Sequence, residues 1–228
     1  MRRLAATVGT DLRLQFRNGF YYATALVVCF SIALLRWLPP EMARLILPAV
    51  VLENVLVNSF YFASGLLLLE RVEGTLPAQA ATPLRPGEYV ASKAVTLTAL
   101  SLVESLLIAV AVFGTEARPA AMAAGVALAA VLFCLAGIAL VARHDGVNGF
   151  LMPSVLYTFL LTLPVLGLFG VGSSSWYLPH PVQGPLMLMQ IDAPRTPGVV
   201  AYAIGYPLLW APLLYLWSRR AVIRLRHA

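Results

Sequence analysis

Six apolar stretches, each close to 20 residues long, dominate this chain: roughly Phe20 to Leu38, Leu45 to Leu69, Val95 to Gly114, Ala120 to Ala142, Phe150 to Val171 and Val199 to Trp217. A helix rising about 1.5 Å per residue needs about 20 such residues to cross a hydrocarbon core, so all six pass the length test. With 60% of its 228 residues hydrophobic and 11% charged, the chain has too few polar side chains to solvate a soluble domain of this size. The expected fold class is an all-α polytopic membrane protein: one transmembrane domain over 1–228, with six transmembrane helices. The first stretch is too long, and too poorly followed by a small-residue cleavage site, to be a removable signal peptide.

Fifteen of the 16 basic residues are arginine, and they cluster where the stretches end. With both termini in the cytoplasm, the inner segments hold Arg2, Arg3, Arg13, Arg17, Arg71, Arg85, Lys93, Arg143, Arg219, Arg220, Arg224 and Arg226. The outer segments hold only Arg36, Arg44, Arg118 and Arg195, and this asymmetry sets the expected orientation. It also accounts for the net charge of +6 without nucleic acid as a partner, since no basic patch is interleaved with aromatics. The plasma membrane of a prokaryote, with membrane lipid around the chain, is the expected location.

Absences narrow the chemistry. There is no GxxxxGK[ST] loop, and Lys93, the only lysine, follows Ala91-Ser92 rather than a glycine-rich turn, so ATP hydrolysis of that kind is not expected here. His144, His180 and His227 lie in separate loops or tails with no second ligand at helical spacing, and no metal or cofactor site is expected. His144-Asp145 has no serine or cysteine placed as its nucleophile and reads as a solvated turn. Cys29 and Cys134 each sit inside an apolar stretch and read as small core residues.

Ionisable residues inside spans are the default place to seek function. Glu53 lies in the second stretch, followed by Asn54, Asn58, Tyr61 and Gly65 at steps that put those four on one helix face. Glu104 lies mid-way along the third, with Thr98, Ser101 and Ser105 near it. Glu53, Asn54, Asn58, Tyr61 and Glu104 are the candidates for lining a pathway, with interhelical hydrogen bonding as the other reading. Ala121, Gly125 and Ala129 form a small-residue packing face in the fourth stretch. Pro153 and Pro164 in the fifth, and Gly205, Pro207 and Pro212 in the sixth, are expected to kink those helices.

At the N-terminus, Leu4, Val8, Leu12 and Phe16 make an apolar stripe among Arg2, Arg3, Arg13 and Arg17, so residues 1–19 read as an amphipathic helix along the inner membrane surface. Residues 172–198, with Trp176, Tyr177, Pro179, Pro181, Pro185 and the run Leu186 to Met189, read as an external segment at the interface or a short re-entrant helix.

The charged interruption Glu70 to Lys93, ERVEGTLPAQAATPLRPGEYVASK, reads as a loop, one short helix, another loop and a helix start. Its Glu73-Gly74-Thr75-Leu76, Thr82-Pro83-Leu84 and Glu88-Tyr89 elements, set after the second span of a six-span chain with an interfacial N-terminal helix, resemble the type-2 ABC transporter permeases over nearly the whole length. His180-Pro181 stands where many members carry Asn-Pro. The resemblance implies that residues from about Val72 to Pro83 form a coupling helix docked on a separate ATP-binding subunit. Glu73, Gly74, Thr75, Leu76, Thr82, Pro83, Leu84 and Glu88 would carry that coupling, with ATP and Mg used by the partner subunit and none bound by this chain. It also implies a second permease chain, identical or related, completing the pathway, and an exporter function. A largely apolar pathway with two glutamates inside the spans is compatible with amphipathic drugs, lipids, haem or a hydrophobic peptide, and a small amphipathic or drug-like compound is the cargo expected. A haem-exporter-like permease of cytochrome c assembly, a membrane scaffold or an intramembrane enzyme centred on Glu53 and Glu104 are the other readings.

Overall fold

The computed structural model describes residues 2–76 and 84–227, and among these every regular element is helical. The first helix, α1 (Arg2–Arg17), turns into α2 (Phe20–Trp37) at Gly19, whose φ of 78° falls where glycine carries no Cβ penalty. The second long helix, α3, runs Pro40–Val72 and contains a π-helical turn, Val57–Tyr61. Then come α4 (Pro86–Phe113), a 3₁₀ turn (Gly114–Ala117) and α5 (Pro119–Val141). Proline in the first turn of α3, α4 and α5 costs no hydrogen bond, because the first N–H groups of a helix have no intrahelical acceptor.

The fifth apolar stretch, expected as one span over 150–171, is divided. Helix α6 (Val147–Thr162) passes through Pro153 but stops before Pro164, and a single turn, α7 (Val165–Leu168), comes next. Two short helices, α8 (Ser174–Tyr177) and α9 (Gln183–Met189), precede α10 (Pro197–His227), which continues through Pro207 and Pro212. Among the described residues five helical segments are long and apolar enough to cross a membrane: Phe20–Trp37, Pro40–Val72, Pro86–Ala117, Pro119–Val141 and Pro197–Leu225. Helix α6 is shorter and peripheral, with Leu151, Met152, Val155 and Phe159 exposed.

At the centre stands α5, packed against α4, α10, α9 and α3. Its small residues explain that position. A Cβ on Gly125 would lie 2.7 Å from the Pro185 carbonyl oxygen of α9, and one on Gly137 would lie 2.7 Å from the Phe60 carbonyl oxygen in the π turn. Close backbone contact replaces side-chain interdigitation at both points. Gly184 does the same on the far side of α9, against the Ala203 carbonyl oxygen of α10 at 2.7 Å. The Leu186 to Met189 run is therefore held between α5 and α10, with Leu186, Leu188 and Met189 buried.

The break after α6 is also held by specific bonds. The Tyr177 hydroxyl donates to the Val171 carbonyl (2.6 Å), Tyr202 to Leu178 (2.6 Å) and Tyr206 to Pro179 (2.7 Å). His180 accepts the Val182 N–H at Nδ1 (3.2 Å) and donates from Nε2 to the Leu160 carbonyl (3.0 Å). Accepting an N–H two residues on is what an asparagine side chain does in an Asx turn, so histidine can stand in for asparagine before Pro181. Burial lowers the His180 pKa, in keeping with a neutral ring that both donates and accepts.

Candidate functional site

Three elements converge at the end of the bundle that carries residues 70–76 and 84–93 and the last turns of α10. The last turn of α3 brings Glu70, the first turns of α4 bring Tyr89, Ser92 and Lys93, and α1 brings Asp11 and Gln15. Lys93, which closes the charged interruption in the sequence, lies two turns inside α4 with its side chain fully buried. Its Nζ donates to Glu70 Oε1 at 2.7 Å and to Asp11 Oδ1 at 3.2 Å. The second carboxylate oxygens are used as well: Tyr89 Oη donates to Glu70 Oε2 (2.6 Å) and Ser92 Oγ to Asp11 Oδ2 (2.5 Å). The ammonium also sits 4.7 Å from the centroid of the Tyr89 ring.

A buried charge is tolerable only when paired and hydrogen-bonded, and here one cation and two carboxylates are locked together by two hydroxyl donors. Next to them Gln15 Nε2 donates to Thr96 Oγ1 at 2.9 Å. The N-terminal helix is thus tied to the bundle by its polar side. Its apolar stripe points the other way: Leu12 and Phe16 are exposed.

Beyond this cluster the 70–93 interruption is mostly helix at its ends. Glu70 and Arg71 complete α3, and Gly74, with φ of 68°, supplies the left-handed residue that ends it, its N–H bonded to the Arg71 carbonyl (3.1 Å). Thr75 Oγ1 donates to the Glu70 carbonyl (3.0 Å), and Leu76 is buried in the core. Leu84 packs on the core from the other side, and Glu88 accepts the Arg85 N–H (2.9 Å) as a cap of α4. Of the described charged residues in the motif, Glu73 is the more exposed, with a loose ion pair to Arg17 at 3.9 Å. Thr82 and Pro83 lie outside the described residues. Arg71 reaches to the turn after α5, donating to the His144 carbonyl (2.8 Å) and to Asp145 (3.2 Å), which accounts for the His144-Asp145 pair structurally.

From Lys93 a polar seam continues along α4 into the apolar part of the bundle. Ser101 Oγ meets Ser59 Oγ at 3.1 Å, and Glu104 accepts from Asn58 Nδ2. Thr24 Oγ1 donates to Asn58 Oδ1 (3.2 Å), and Asn54 Nδ2 to Ser31 Oγ (3.1 Å). Asn54, Asn58 and Glu104 are therefore interhelical partners buried between α2, α3 and α4. Tyr61 is half-buried with its hydroxyl 3.4 Å from Thr158 Oγ1, and Gly65 is exposed. The expectation that Asn54, Asn58, Tyr61 and Gly65 share one face fails because the π turn at Val57–Tyr61 widens the helix by one residue and rotates the remainder of α3.

Glu53 stands apart from that seam. It is exposed, as are Val57 and Gly65 at four and twelve residues on, so one flank of α3 presents a carboxyl at the middle of an apolar helix. Cys134 is buried as expected, whereas Cys29 is exposed on α2. Among the described residues no cluster of histidine, cysteine, aspartate and glutamate is arranged to hold a metal ion.

The sequence pattern does not single out Asp11 and Gln15, yet a signal is present. Asp11 is the one acidic residue among the first 40, set in a basic helix, and with Gln15 four residues on it marks a second polar face.

Comparison with known proteins agrees with a membrane transport role. The chain matches the fluoroquinolones export permease protein family over residues 2–226. It is 28% identical over 215 residues, covering 92% of this chain and 91% of the relative, to the fluoroquinolones export permease protein of Mycobacterium tuberculosis strain CDC 1551 / Oshkosh. The corresponding protein of strain ATCC 25618 / H37Rv matches to the same extent. A match over nearly every residue of a multi-pass helical chain leaves one assignment: this protein belongs to the fluoroquinolones export permease protein family and is a membrane permease of an exporter.

Proposed function

We propose that the chain is the membrane-spanning subunit of an ATP-driven ABC exporter, one half of a pathway completed by a second permease chain. It is driven through residues 70–93 by a separate ATP-binding subunit. The observation that carries this reading is the linkage between the motif and the buried charge cluster. Glu70, four residues before Gly74, is bonded to Lys93 of α4 and, through it, to Asp11 of α1. A displacement of the motif is transmitted to α1, α3 and α4 together, because separating any of them strands a buried charge.

In this reading the end with both termini faces the cytoplasm of a prokaryotic cell, and α6 with α7 completes a sixth crossing. Residues 172–198 lie outside, with α9 dipping inward, and Leu12 and Phe16 of α1 rest in the inner lipid surface. ATP binding closes the partner subunits, the docked loops move with them, and the helices swing as rigid bodies between inward and outward openings. The cavity must bind cargo more weakly when open outward, since a ligand biases the cycle only through differential affinity.

Glu53 is the residue assigned to the pathway. A carboxyl facing hydrocarbon is costly, and a water-filled cavity between two permease chains removes that cost. Asn54, Asn58 and Glu104 hold the helices behind it. The cargo is a drug-like amphiphile, and a fluoroquinolone is the first to test because the relatives are named for exporting them. The test is drug accumulation in cells carrying the chain with its ATP-binding partner. Wild type should lower fluoroquinolone accumulation, and Glu73→Ala together with a Thr82-Pro83 exchange should abolish the effect at unchanged membrane abundance. Export that persists undiminished in the loop variant counts against coupling through this segment.

A further inference from the structure

At the end of the bundle opposite the charge cluster lies a cavity of about 400 Å³. Its walls are the first turns of α3, the break after α6, Tyr177, and α9 with the residues just beyond it. The volume falls in the range of small-molecule sites, about 300–1,000 Å³. Neither the motif nor Glu53 takes part in it.

The walls are fixed independently of the charges at the rim. Pro164 ends α6, Gly167 allows the Tyr177 ring against the backbone (a Cβ there would meet it at 3.0 Å), and Tyr177 is pinned to the Val171 carbonyl. On the opposite wall Arg195 donates to the Leu188 and Gln190 carbonyls (3.3 Å each) and fixes the end of α9. The cavity is therefore preformed, with an apolar floor of Pro48, Leu168, Met187 and Ile191.

The rim carries both signs of charge. Arg44 pairs with Glu116 through Nη2, but Nη1 lies 3.7 Å from Asp192, an ion pair without a hydrogen bond. Asp192 is itself 74% exposed. Such an exposed contact is weak and readily exchanged. Gln183 and Gln190 add amides to the lining, and the buried Gln183 Oε1 has no hydrogen-bond partner among the described residues.

We propose that this cavity is a second binding site, for a zwitterionic amphiphile whose anionic group replaces Asp192 at Arg44 Nη1. Its cationic group then lies near the released Asp192, and its apolar body covers Pro48, Leu168, Met187 and Ile191. Taking that amphiphile to be the cargo at the outer face rests on the proposed export function. Two sources share the chemistry, a zwitterionic drug and a zwitterionic lipid headgroup.

The experiment is equilibrium binding of norfloxacin, which carries both a carboxylate and an amine, to the purified full chain in phosphatidylglycerol nanodiscs without an ATP-binding subunit. Wild type should bind saturably. Arg44→Gln should weaken binding at least 10-fold while leaving the methyl ester, already weaker on wild type, unaffected. Met187→Trp, which fills the cavity and leaves the Arg44 ion pairs in place, should weaken both compounds at least 10-fold. Equal affinity in wild type and Met187→Trp, or no saturable binding to wild type, overturns the site. In phosphatidylcholine nanodiscs the affinity of wild type should be unchanged. A fall there that Met187→Trp removes assigns the cavity to a lipid headgroup and overturns the cargo assignment. Because the assay involves no transport, binding without drug export in cells sinks the export reading alone, and export with no binding sinks this site alone.

Discussion

The two carboxylates around Lys93 and the two carboxyls in the middle of the spans are buried or exposed for opposite reasons. Asp11 and Glu70 are enclosed with a cation and two hydroxyl donors, every oxygen accounted for. Glu104 has one amide donor, Asn58, among the described residues, and Glu53 lies on an open flank of α3. The first arrangement resists relative movement of the helices that own the charges. The second leaves ionisable groups with little holding them, one between helices and one facing outward. Rigid connection near the motif and loosely held polarity in the span are what a chain needs if force enters at one place and cargo passes at another.

The largest effect is expected from breaking the enclosed set. Lys93→Met strands two buried carboxylates and should lower stability by about 3–5 kcal/mol. Replacing all three charges together, Asp11→Asn, Glu70→Gln and Lys93→Met, should recover most of that loss. Thermal unfolding of the purified variants in detergent reads both numbers. If the single and triple variants unfold alike, the three charges do not act as a unit.

A smaller loss is expected where α9 meets α5. Gly125→Ala places a methyl 2.7 Å from a backbone carbonyl that cannot rotate away, and overpacking of this kind costs about 1–3 kcal/mol. The same unfolding assay should show it, whereas Gly65→Ala on the open flank, where a Cβ meets nothing within 4 Å, should not lose stability.

His180 gives a pH-dependent effect. Its pKa in the folded chain is lowered by burial, so the unfolded chain takes up the proton first as pH falls. Its contribution is full above the ordinary imidazole value of about 6.5 and is lost progressively below it. Midpoint unfolding temperatures of wild type should fall between neutral and acidic pH by more than those of His180→Asn. That variant should fold as wild type does at neutral pH, while His180→Ala loses about 1 kcal/mol with its hydrogen bonds. Identical pH profiles for wild type and His180→Asn would remove any role for this histidine in the pH dependence.

The smallest structural effect belongs to the residue assigned the pathway. Glu53→Gln should change stability by about 0.5 kcal/mol or less, as an exposed substitution does, yet reduce fluoroquinolone export. Glu104→Gln should retain export, because the amide oxygen still accepts from Asn58. The reverse pattern, export lost in Glu104→Gln and intact in Glu53→Gln, would exchange their roles.

The frame was legible in the sequence because lipid crossing demands long apolar runs, whereas the helix starts at Pro40 and Pro86 were not, since the apolar runs begin only near Leu45 and Val95. Glu53 and Glu104 could also be placed inside spans. Which of them faces outward could not be separated, since that depends on which flank of α3 packs against α2 and α4; what the π turn at Val57–Tyr61 hides, as a one-residue shift with no local signature, is that Gly65 leaves the face of Asn54 and Asn58. The close approach of Gly137 to Phe60 is visible only in three dimensions. Asp11 was hidden differently: the apolar stripe of α1 marks its exposed side, while the polar side makes the connection to Lys93. The divided fifth helix had its signal in Pro164, read as a kink where the chain in fact stops the helix.

In the proposed function, force reaches this chain through residues 70–93 from an ATP-binding subunit. The direct measurement is affinity purification of the full chain from gently solubilised membranes, with quantification of co-purifying ATP-binding protein. A near-stoichiometric ATP-binding subunit, lost when Glu73 and Thr82-Pro83 are altered in a chain that still folds, is the result expected. A well-folded, abundant chain that brings no such subunit, or one retained equally by the altered loop, would contradict it.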